Sequence, residues 1–153
     1  MKKDIKSLVS YYVKKYNTRN PFEIADALKI NYITGPIGTC SGCYMYMKRH
    51  RCIFINDELG ESEMKMVMAH ELGHAIMHRK ENCYFIRNHT FLSTAQIEKE
   101  ANTFAAELLI PDSIIFDNPG YTKSQIARLV GYNEKLMEFK KLWLIRFSVL
   151  MKK

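Results

Sequence analysis

Apolar residues recur at helical spacing in two segments near the start of the chain. In the first segment they fall three and four residues apart, which predicts an N-terminal helix; they are Ile5, Leu8, Val9, Tyr12 and Val13. A second helix is predicted in NPFEIADALKI, because Asn20 can cap it, Pro21 suits its first position, and Glu23 is placed to close a capping box.

The pattern changes after residue 34. Glycine and proline interrupt the helical spacing at Gly35, Pro36 and Gly38. Two short runs, CYMYM and RCIFIN, are rich in aromatic and β-branched residues and flank a polar KRH segment, which predicts a β-hairpin. We therefore expect a small antiparallel sheet ahead of the next helices.

Helical spacing returns in ESEMKMVMAHELGHAIMH and in AQIEKEANTFAAELLI, which Pro111 ends. Further on, TKSQIARLVGY predicts a short helix capped by Thr122 and ended by Gly131, and the remaining residues predict one long helix carrying Trp143. The patterns together predict a mainly helical α+β fold in a single domain, residues 1–153. Its core spans residues 1–111, and residues 112–153 form a C-terminal helical part.

Composition supports a globular protein, since 47% of residues are hydrophobic and 25% are charged. The net charge of +7 could indicate a nucleic-acid partner. However, lysines are spread along the chain, and the cluster at Lys48 to Arg51 falls in the predicted hairpin turn. This distribution favours a solvated basic surface over direct nucleic-acid binding.

Neither end of the chain predicts a signal peptide or a membrane span. Lys14 and Lys15 interrupt the apolar N-terminal segment, and the apolar segment 142–151 is about half the length that a bilayer requires. We expect a cytoplasmic protein with reduced thiols. The cysteines are Cys40, Cys43, Cys52 and Cys83, and the single CSGC pair leaves open whether any of them binds a metal.

The HELGH segment carries candidate metal chemistry. His70 and His74 are four residues apart, so both imidazoles lie on one face of a helix and can reach one ion. A catalytic zinc needs three protein ligands and an open position for water. Glu71 follows the first histidine and can act as the catalytic base. The plainer alternative is an amphipathic helix that carries histidines, and the setting of the motif in a strong helix after a strand disfavours it.

The third ligand is expected from the next helix, which offers Glu98, Glu100 and Glu107. Its apolar stripe continues through Asn102 to Glu98 at three- and four-residue steps, so Glu98 is favoured and Glu100 stays an alternative nearer the solvent edge. Asn102 is predicted to orient a ligating imidazole. His78 lies too far along the helix to share one ion with both other histidines, so a packing or supporting role is expected.

HELGHAIMH followed by EKEANTFAAELLIP resembles the ImmA/IrrE family of metallopeptidases, in which HELGH and a helix reading E-x-x-A-N-x-F-A-x-x-L-L-x-P recur. The similarity is specific over Cys52 to Pro111. It implies a gluzincin-like site in which His70, His74 and Glu98 bind one Zn2+ and Glu71 is the base. It also implies that the substrate is a phage-type helix-turn-helix repressor, whose cleavage derepresses genes of a mobile element, prophage or stress response.

A peptide substrate is expected to lie along the second hairpin strand by β-augmentation. The strand residues concerned are Cys52, Ile53, Phe54 and Ile55. Candidate donors to the oxyanion are Tyr44, Tyr84 and His89.

The alternative function is a DNA- or protein-binding regulatory module with a non-catalytic zinc site. SQIARLVGYNEKLMEFKKL resembles the start of a helix-turn-helix. Its second predicted helix lacks a cluster of side chains suited to reading base edges. A purely structural zinc would leave Glu71 without a task. Both points favour the peptidase.

Overall fold

A computed structural model describes residues 4–82 and 91–142 of the chain. Helices predominate, and three short strands lie between the second and third helices. The helices are α1 (Ile5–Tyr16), α2 (Pro21–Ala27), α3 (Glu61–Met77), α4 (Phe91–Leu109), α5 (Asp112–Asp117), α6 (Lys123–Val130) and a 3-10 helix (Glu134–Phe139). The strands are β1 (Asn31–Gly35), β2 (Gly42–Met47) and β3 (His50–Asn56).

The sheet confirms the α+β class and the predicted hairpin, and it adds a strand that the sequence did not predict. β2 and β3 pair antiparallel around a tight turn in which Lys48 and Arg49 both have positive φ, 48° and 67°. β1 pairs with β3 in parallel, so the sheet is mixed rather than wholly antiparallel. The residues of β1 are exposed or half-buried, which explains why no apolar alternation marks this strand in the sequence.

The position of β3 contradicts the predicted substrate strand. The strand order is β1-β3-β2, so β3 is central and hydrogen-bonded along both sides. β-augmentation needs an edge strand, whose backbone groups can pair with an incoming peptide. Cys52, Ile53, Phe54 and Ile55 therefore cannot receive a substrate strand, because each is paired with a residue of β1 and a residue of β2.

Helices α3 and α4 pack closely against each other at Gly73. A Cβ atom added at Gly73 would lie 3.1 Å from the Cβ of Phe104 and 3.3 Å from the Cα of Ala101. Such distances are tighter than ordinary contacts, so the bare glycine and the small Ala101 allow the two helix axes to approach. Both helices bury side chains completely: Met68, Leu72 and Ala75 on α3, and Ala101, Phe104 and Leu108 on α4. This interface sets the separation between HELGH and the helix that follows it.

The start of α2 is capped differently from the prediction. Asn20 accepts a hydrogen bond from the Phe22 backbone N–H at 3.0 Å, and Pro21 occupies the first position, as predicted. Glu23 does not close a capping box. Its carboxylate accepts from the Thr18 hydroxyl, and Thr18 Oγ1 in turn accepts from the Asn20 N–H at 3.0 Å. Thr18 thus takes the donor that a capping box would have assigned to Glu23.

The C-terminal part departs from the predicted long helix. Thr122 and Gln125 form a capping box at α6, and Gly131 ends that helix with φ 81°, as predicted. The chain then forms a 3-10 helix, and Lys140 has extended backbone angles. The cause is Glu107, which accepts from the Lys141 N–H at 2.8 Å and from Lys140 Nζ at 2.6 Å. Trp143 lies outside the described residues.

The 3-10 helix also replaces the recognition helix that a helix-turn-helix would require after α6. Its Leu136 and Met137 are buried against the core.

Within residues 4–82 and 91–142, no helix combines the length and the apolar character needed to cross a membrane.

Candidate metal centre

Two imidazoles meet on one face of α3. His70 and His74 are one helical turn apart, and their Nε2 atoms lie 3.2 Å from each other. His74 is completely buried, whereas the side chain of His70 retains 15% exposure. The four-residue spacing on a continuous helix is sufficient to produce this meeting, as the sequence predicted.

Glu98 reaches the same point from α4. Its Oε2 lies 3.1 Å from His70 Nε2, and its Oε1 lies 3.3 Å from His74 Nε2. Of the three carboxylates that α4 offers, Glu98 is therefore the one that the close α3–α4 interface brings to both histidines. Among the described residues, His70, His74 and Glu98 form the group of side chains that could hold a metal ion.

The donor set and its spacing fit a divalent metal. Ligands about 2.0–2.1 Å from a tetrahedral zinc stand about 3.3–3.4 Å from one another. The measured separations among the two Nε2 atoms and the carboxylate are 3.1 to 3.3 Å. Two imidazoles and one carboxylate also match the ligand types of catalytic zinc sites, which keep a fourth position for water.

The protonation states around the cluster suit metal binding. Burial, reinforced by the neighbouring imidazoles of His70 and His78, lowers the pKa of His74. Burial opposes ionisation of Glu98, but the hydrogen bonds to His70 and His74 outweigh it and hold the pKa of this carboxyl well below its usual range. At neutral pH His74 is thus neutral and Glu98 is ionised, which are the forms that coordinate metals.

His70 differs from His74 in this respect. Burial would lower the pKa of His70, but the hydrogen bond to Glu98 and the charges of Glu71 and Glu98 raise it above the ordinary value. When His70 is protonated, a metal ion that binds it must displace a proton that Glu98 helps to hold. Proton release on metal binding is the general consequence.

Asn102 contacts the first imidazole. Its Oδ1 lies 2.8 Å from His70 Nδ1, and an amide oxygen can only accept. His70 therefore donates from Nδ1 in its neutral form and directs the lone pair of Nε2 toward His74 and Glu98. This is the contact that the sequence predicted for Asn102, one helical turn after Glu98.

His78 and Glu100 form a contact that the sequence only partly predicted. His78 Nδ1 lies 3.1 Å from His74 Nδ1, and His78 Nε2 lies 2.8 Å from Glu100 Oε2. Glu100 was predicted nearer the solvent edge, yet its side chain is 27% exposed, as is that of Glu98. His78 follows Met77, the last residue of α3, and has non-helical backbone angles, φ −121° and ψ 44°. The direction of that ring depends on the helix end, which periodicity does not locate.

Glu71 lies beside the cluster at the edge of a cleft. It is 2% exposed, and with His70 and Asn102 it contributes to the cleft wall. The start of β2 crosses α3 at this point, because a Cβ added at Gly42 would lie 2.5 Å from Val67 Cγ1 and 3.3 Å from Glu71 Cγ. Gly42 thus permits a backbone approach that a larger residue would block.

The cleft has a volume of about 730 Å3. Its walls are the loop before β2, one face of α3, the middle of α4 and the 3-10 helix, represented by Cys40, Met66, Ala105 and Phe139. This volume is typical of clefts that bind ligands in proteins. The two HELGH residues on the wall therefore face a space in which a substrate can lie.

The predicted oxyanion donors are not supported by the described part of the chain. Tyr44 is completely buried, and its hydroxyl donates to the Arg79 carbonyl at 2.5 Å. A buried hydroxyl held in this way is not available to a substrate. Tyr84 and His89 lie outside the described residues.

Cys40, Cys43 and Cys52 carry thiols rather than disulfides, and Cys83 lies outside the described residues.

Comparison with known proteins places the chain in a family. A peptidase family model described as the IrrE N-terminal-like domain matches residues 25–140. The chain is 40% identical to "Uncharacterized immunity region protein 2" of Bacillus phage phi105 over 141 residues, which cover 90% of this chain and 89% of that protein. It is 29% identical to "Metallopeptidase ImmA" of Bacillus subtilis (strain 168) over 144 residues, covering 90% and 84%. The chain belongs to the ImmA/IrrE family of metallopeptidases.

Proposed function

We propose that this protein is a zinc-dependent endopeptidase in which His70, His74 and Glu98 hold one zinc ion and Glu71 is the catalytic base. The observation that supports this most directly is the convergence of two imidazole nitrogens and a carboxylate, at 3.1 to 3.3 Å, beside a cleft. Bound zinc would supply Lewis-acid chemistry, acidifying a water molecule and polarising the scissile carbonyl.

Glu71 performs the proton transfers in this proposal. Its carboxylate takes a proton from the attacking water while a new bond forms between the water oxygen and the carbonyl carbon. The same carboxyl then gives that proton to the amide nitrogen as the carbon–nitrogen bond breaks. Asn102 holds His70 in the tautomer that keeps its Nε2 lone pair for the metal.

The substrate lies in the cleft beside Glu71. This path replaces the predicted one along β3, and it is supported by the cleft volume and by the direct presence of His70 and Glu71 in its wall. The substrate class is a phage-type helix-turn-helix repressor, and its cleavage would derepress genes of a prophage, another mobile element or a stress response. Two observations support this class: the motif resemblance, and the relative in phage phi105, which is named as an immunity region protein. Residues 1–153 act as one domain in the cytoplasm, where such repressors bind DNA.

The test combines metal analysis with cleavage. Elemental analysis of purified protein should find about one zinc per chain, retained in Glu71→Gln and lost in His74→Ala and Glu98→Ala. The wild type and Glu71→Gln are then incubated with a purified phage-type helix-turn-helix repressor, and products are identified by mass spectrometry. Loss of a general base should slow cleavage by about 10²- to 10⁴-fold.

The exposed Glu63 on the same helix provides the control. Glu63→Gln removes one carboxylate without touching the site, so it should retain both zinc and activity. Zinc retained in Glu98→Ala, or undiminished cleavage by Glu71→Gln, would contradict the proposal. No zinc in the wild type, together with tight and salt-dependent DNA binding, would favour the regulatory module instead.

A further inference from the structure

We infer that Glu100 acts through His78 as a positioning pair that fixes the tautomer of His74. The pair would keep the proton of His74 on Nδ1, so that the lone pair of Nε2 points at the metal position. This inference rests on the proposed function, because it assumes that His74 is a ligand. It assigns a role to Glu100, which lies two residues after the proposed ligand Glu98.

A continuous series of side-chain contacts runs from α4 back to α3. Glu100 Oε2 lies 2.8 Å from His78 Nε2. The other nitrogen of the same ring, His78 Nδ1, lies 3.1 Å from His74 Nδ1. The series of contacts continues to the candidate metal centre, since His74 Nε2 lies 3.2 Å from His70 Nε2 and 3.3 Å from Glu98 Oε1.

Glu100, at one end of this series, determines which nitrogen of each histidine carries the proton. An ionised carboxylate can only accept, so His78 donates from Nε2 to Glu100. A neutral imidazole with its proton on Nε2 has a lone pair on Nδ1, so His78 Nδ1 accepts from His74 Nδ1. His74 then has its proton on Nδ1 and its lone pair on Nε2, toward Glu98.

Burial makes the alternative tautomers costly. The side chains of His74 and His78 are 0% and 9% exposed, so water is poorly placed to replace a lost partner. With the proton of His74 on Nε2, two lone pairs would face each other across the 3.1 Å between the Nδ1 atoms. Both Nδ1 atoms would then lack a hydrogen bond, and a buried nitrogen without one is destabilising because it has lost its contact with water.

A neighbour on α4 orients the carboxylate itself. Gln96 Nε2 donates to Glu100 Oε1 at 2.7 Å, one turn earlier on the helix. This contact leaves Oε2 directed to His78. The two proposed ligand histidines are thus oriented by different means: His70 by the neutral amide of Asn102, and His74 by a carboxylate acting through a second imidazole. A carboxylate acting on a ligand imidazole also raises its basicity.

The experiment measures zinc affinity by competition with a chromogenic chelator. His78→Leu removes the acceptor for His74 and should weaken zinc binding by about 10- to 100-fold. His78→Gln is the conservative control, because its amide can accept from His74 and donate to Glu100; it should retain affinity within about threefold of the wild type. Glu100→Ala should fall between the wild type and His78→Leu.

A double variant separates a relay from independent effects. If Glu100 acts through His78, adding Glu100→Ala to His78→Leu should cause no further loss of affinity. Nitrogen-15 NMR of the histidine rings in zinc-free protein gives a readout that general destabilisation would not produce. His74 should be protonated on Nδ1 in the wild type and should show a mixture of tautomers in Glu100→Ala.

The outcomes distinguish this inference from the function on which it rests. Failure of the wild type to bind zinc, or full zinc binding by His74→Ala, would overturn both. Normal zinc binding by the wild type and loss in His74→Ala, with unchanged affinity in His78→Leu, would overturn the positioning pair alone. So would additive losses in the double variant, or equal losses in His78→Gln and His78→Leu.

Discussion

Helix α4 carries two carboxylates that meet very different surroundings. Glu107 is buried and pairs with its own cation, since Lys140 Nζ lies 2.6 Å from Glu107 Oε2 and 2.7 Å from Asp112 Oδ1. Glu98 faces two imidazole nitrogens and is 27% exposed beside a cleft. At Glu107 the protein thus supplies the positive charge itself, through Lys140. At Glu98 it instead groups side chains that could bind a metal cation. A carboxylate in or near the core therefore indicates a metal site only when the side chains around it could also bind a metal.

The largest expected effect is on stability at the Lys140 site. Lys140→Met leaves Glu107 buried without its cation, which should lower the free energy of unfolding by about 3–5 kcal/mol. Lys141→Met is the matched control, because the Lys141–Asp4 pair is about half exposed and should contribute at most about 1 kcal/mol. Urea denaturation of zinc-free protein measures both. Equal losses of stability in the two variants would show that the buried Lys140–Glu107 pair matters no more than the exposed Lys141–Asp4 pair.

The next effect is on metal affinity at Glu98. Structural zinc sites with four protein ligands bind with about 10–16 kcal/mol, or about 2.5–4 kcal/mol per ligand, so removing the Glu98 carboxylate should lower affinity roughly 70- to 900-fold. Glu98→Gln should therefore largely abolish the rise in melting temperature that added zinc produces. Glu107→Gln should show the reverse behaviour, with lower stability and a preserved response to zinc. A preserved response in Glu98→Gln would remove the basis of the comparison.

A smaller effect is expected where α3 meets α4. Gly73→Ala should cost about 1–3 kcal/mol by overpacking against Phe104, of which the better helix propensity of alanine returns about 1 kcal/mol. Zinc affinity should fall too, because the separation of the two helices places Glu98 against His70 and His74. Gly120→Ala is the control, since an added Cβ there meets no atom within 4 Å. Unchanged affinity in Gly73→Ala would show that the helix spacing is not critical for the site.

The smallest effect is expected far from both carboxylates. Thr122→Ala removes the side-chain cap of α6 and should cost about 1 kcal/mol of stability. Thr103→Ala, in the middle of α4, should cost less, because alanine is the better helix former there. Neither variant should alter zinc affinity. A change in affinity in Thr122→Ala would show that α6 influences the metal centre.

Local patterns predicted the parts of the molecule that depend on local geometry. The spacing of His70 and His74, and the apolar stripe leading to Glu98, were sufficient to predict that these three side chains meet. Zinc ligation by them stays a prediction. The caps at Asn20 and Thr122 followed from short-range chemistry as well.

What the patterns did not predict depends on distant partners. β1 forms because β3 offers it a pairing edge, although its own residues are largely exposed. The break at Lys140 follows from a carboxylate 33 residues earlier in the chain. The contact of Glu100 with His78 depends on where α3 ends, which apolar spacing leaves uncertain by a residue or two.

Glu98 and Glu107 lie on one continuous helix, α4, so the number of residues between them fixes their relative positions. Glu107 follows Glu98 by nine positions, which correspond to two and a half turns and about 13.5 Å, so the two carboxylates leave the helix on opposite sides. Replacing a residue within this run alters one contact. Inserting or deleting one would turn the far end by about 100° relative to the near end, so either Glu98 or Glu107 would lose its partners. In this protein the segment should therefore tolerate a substitution more readily than a change in its length.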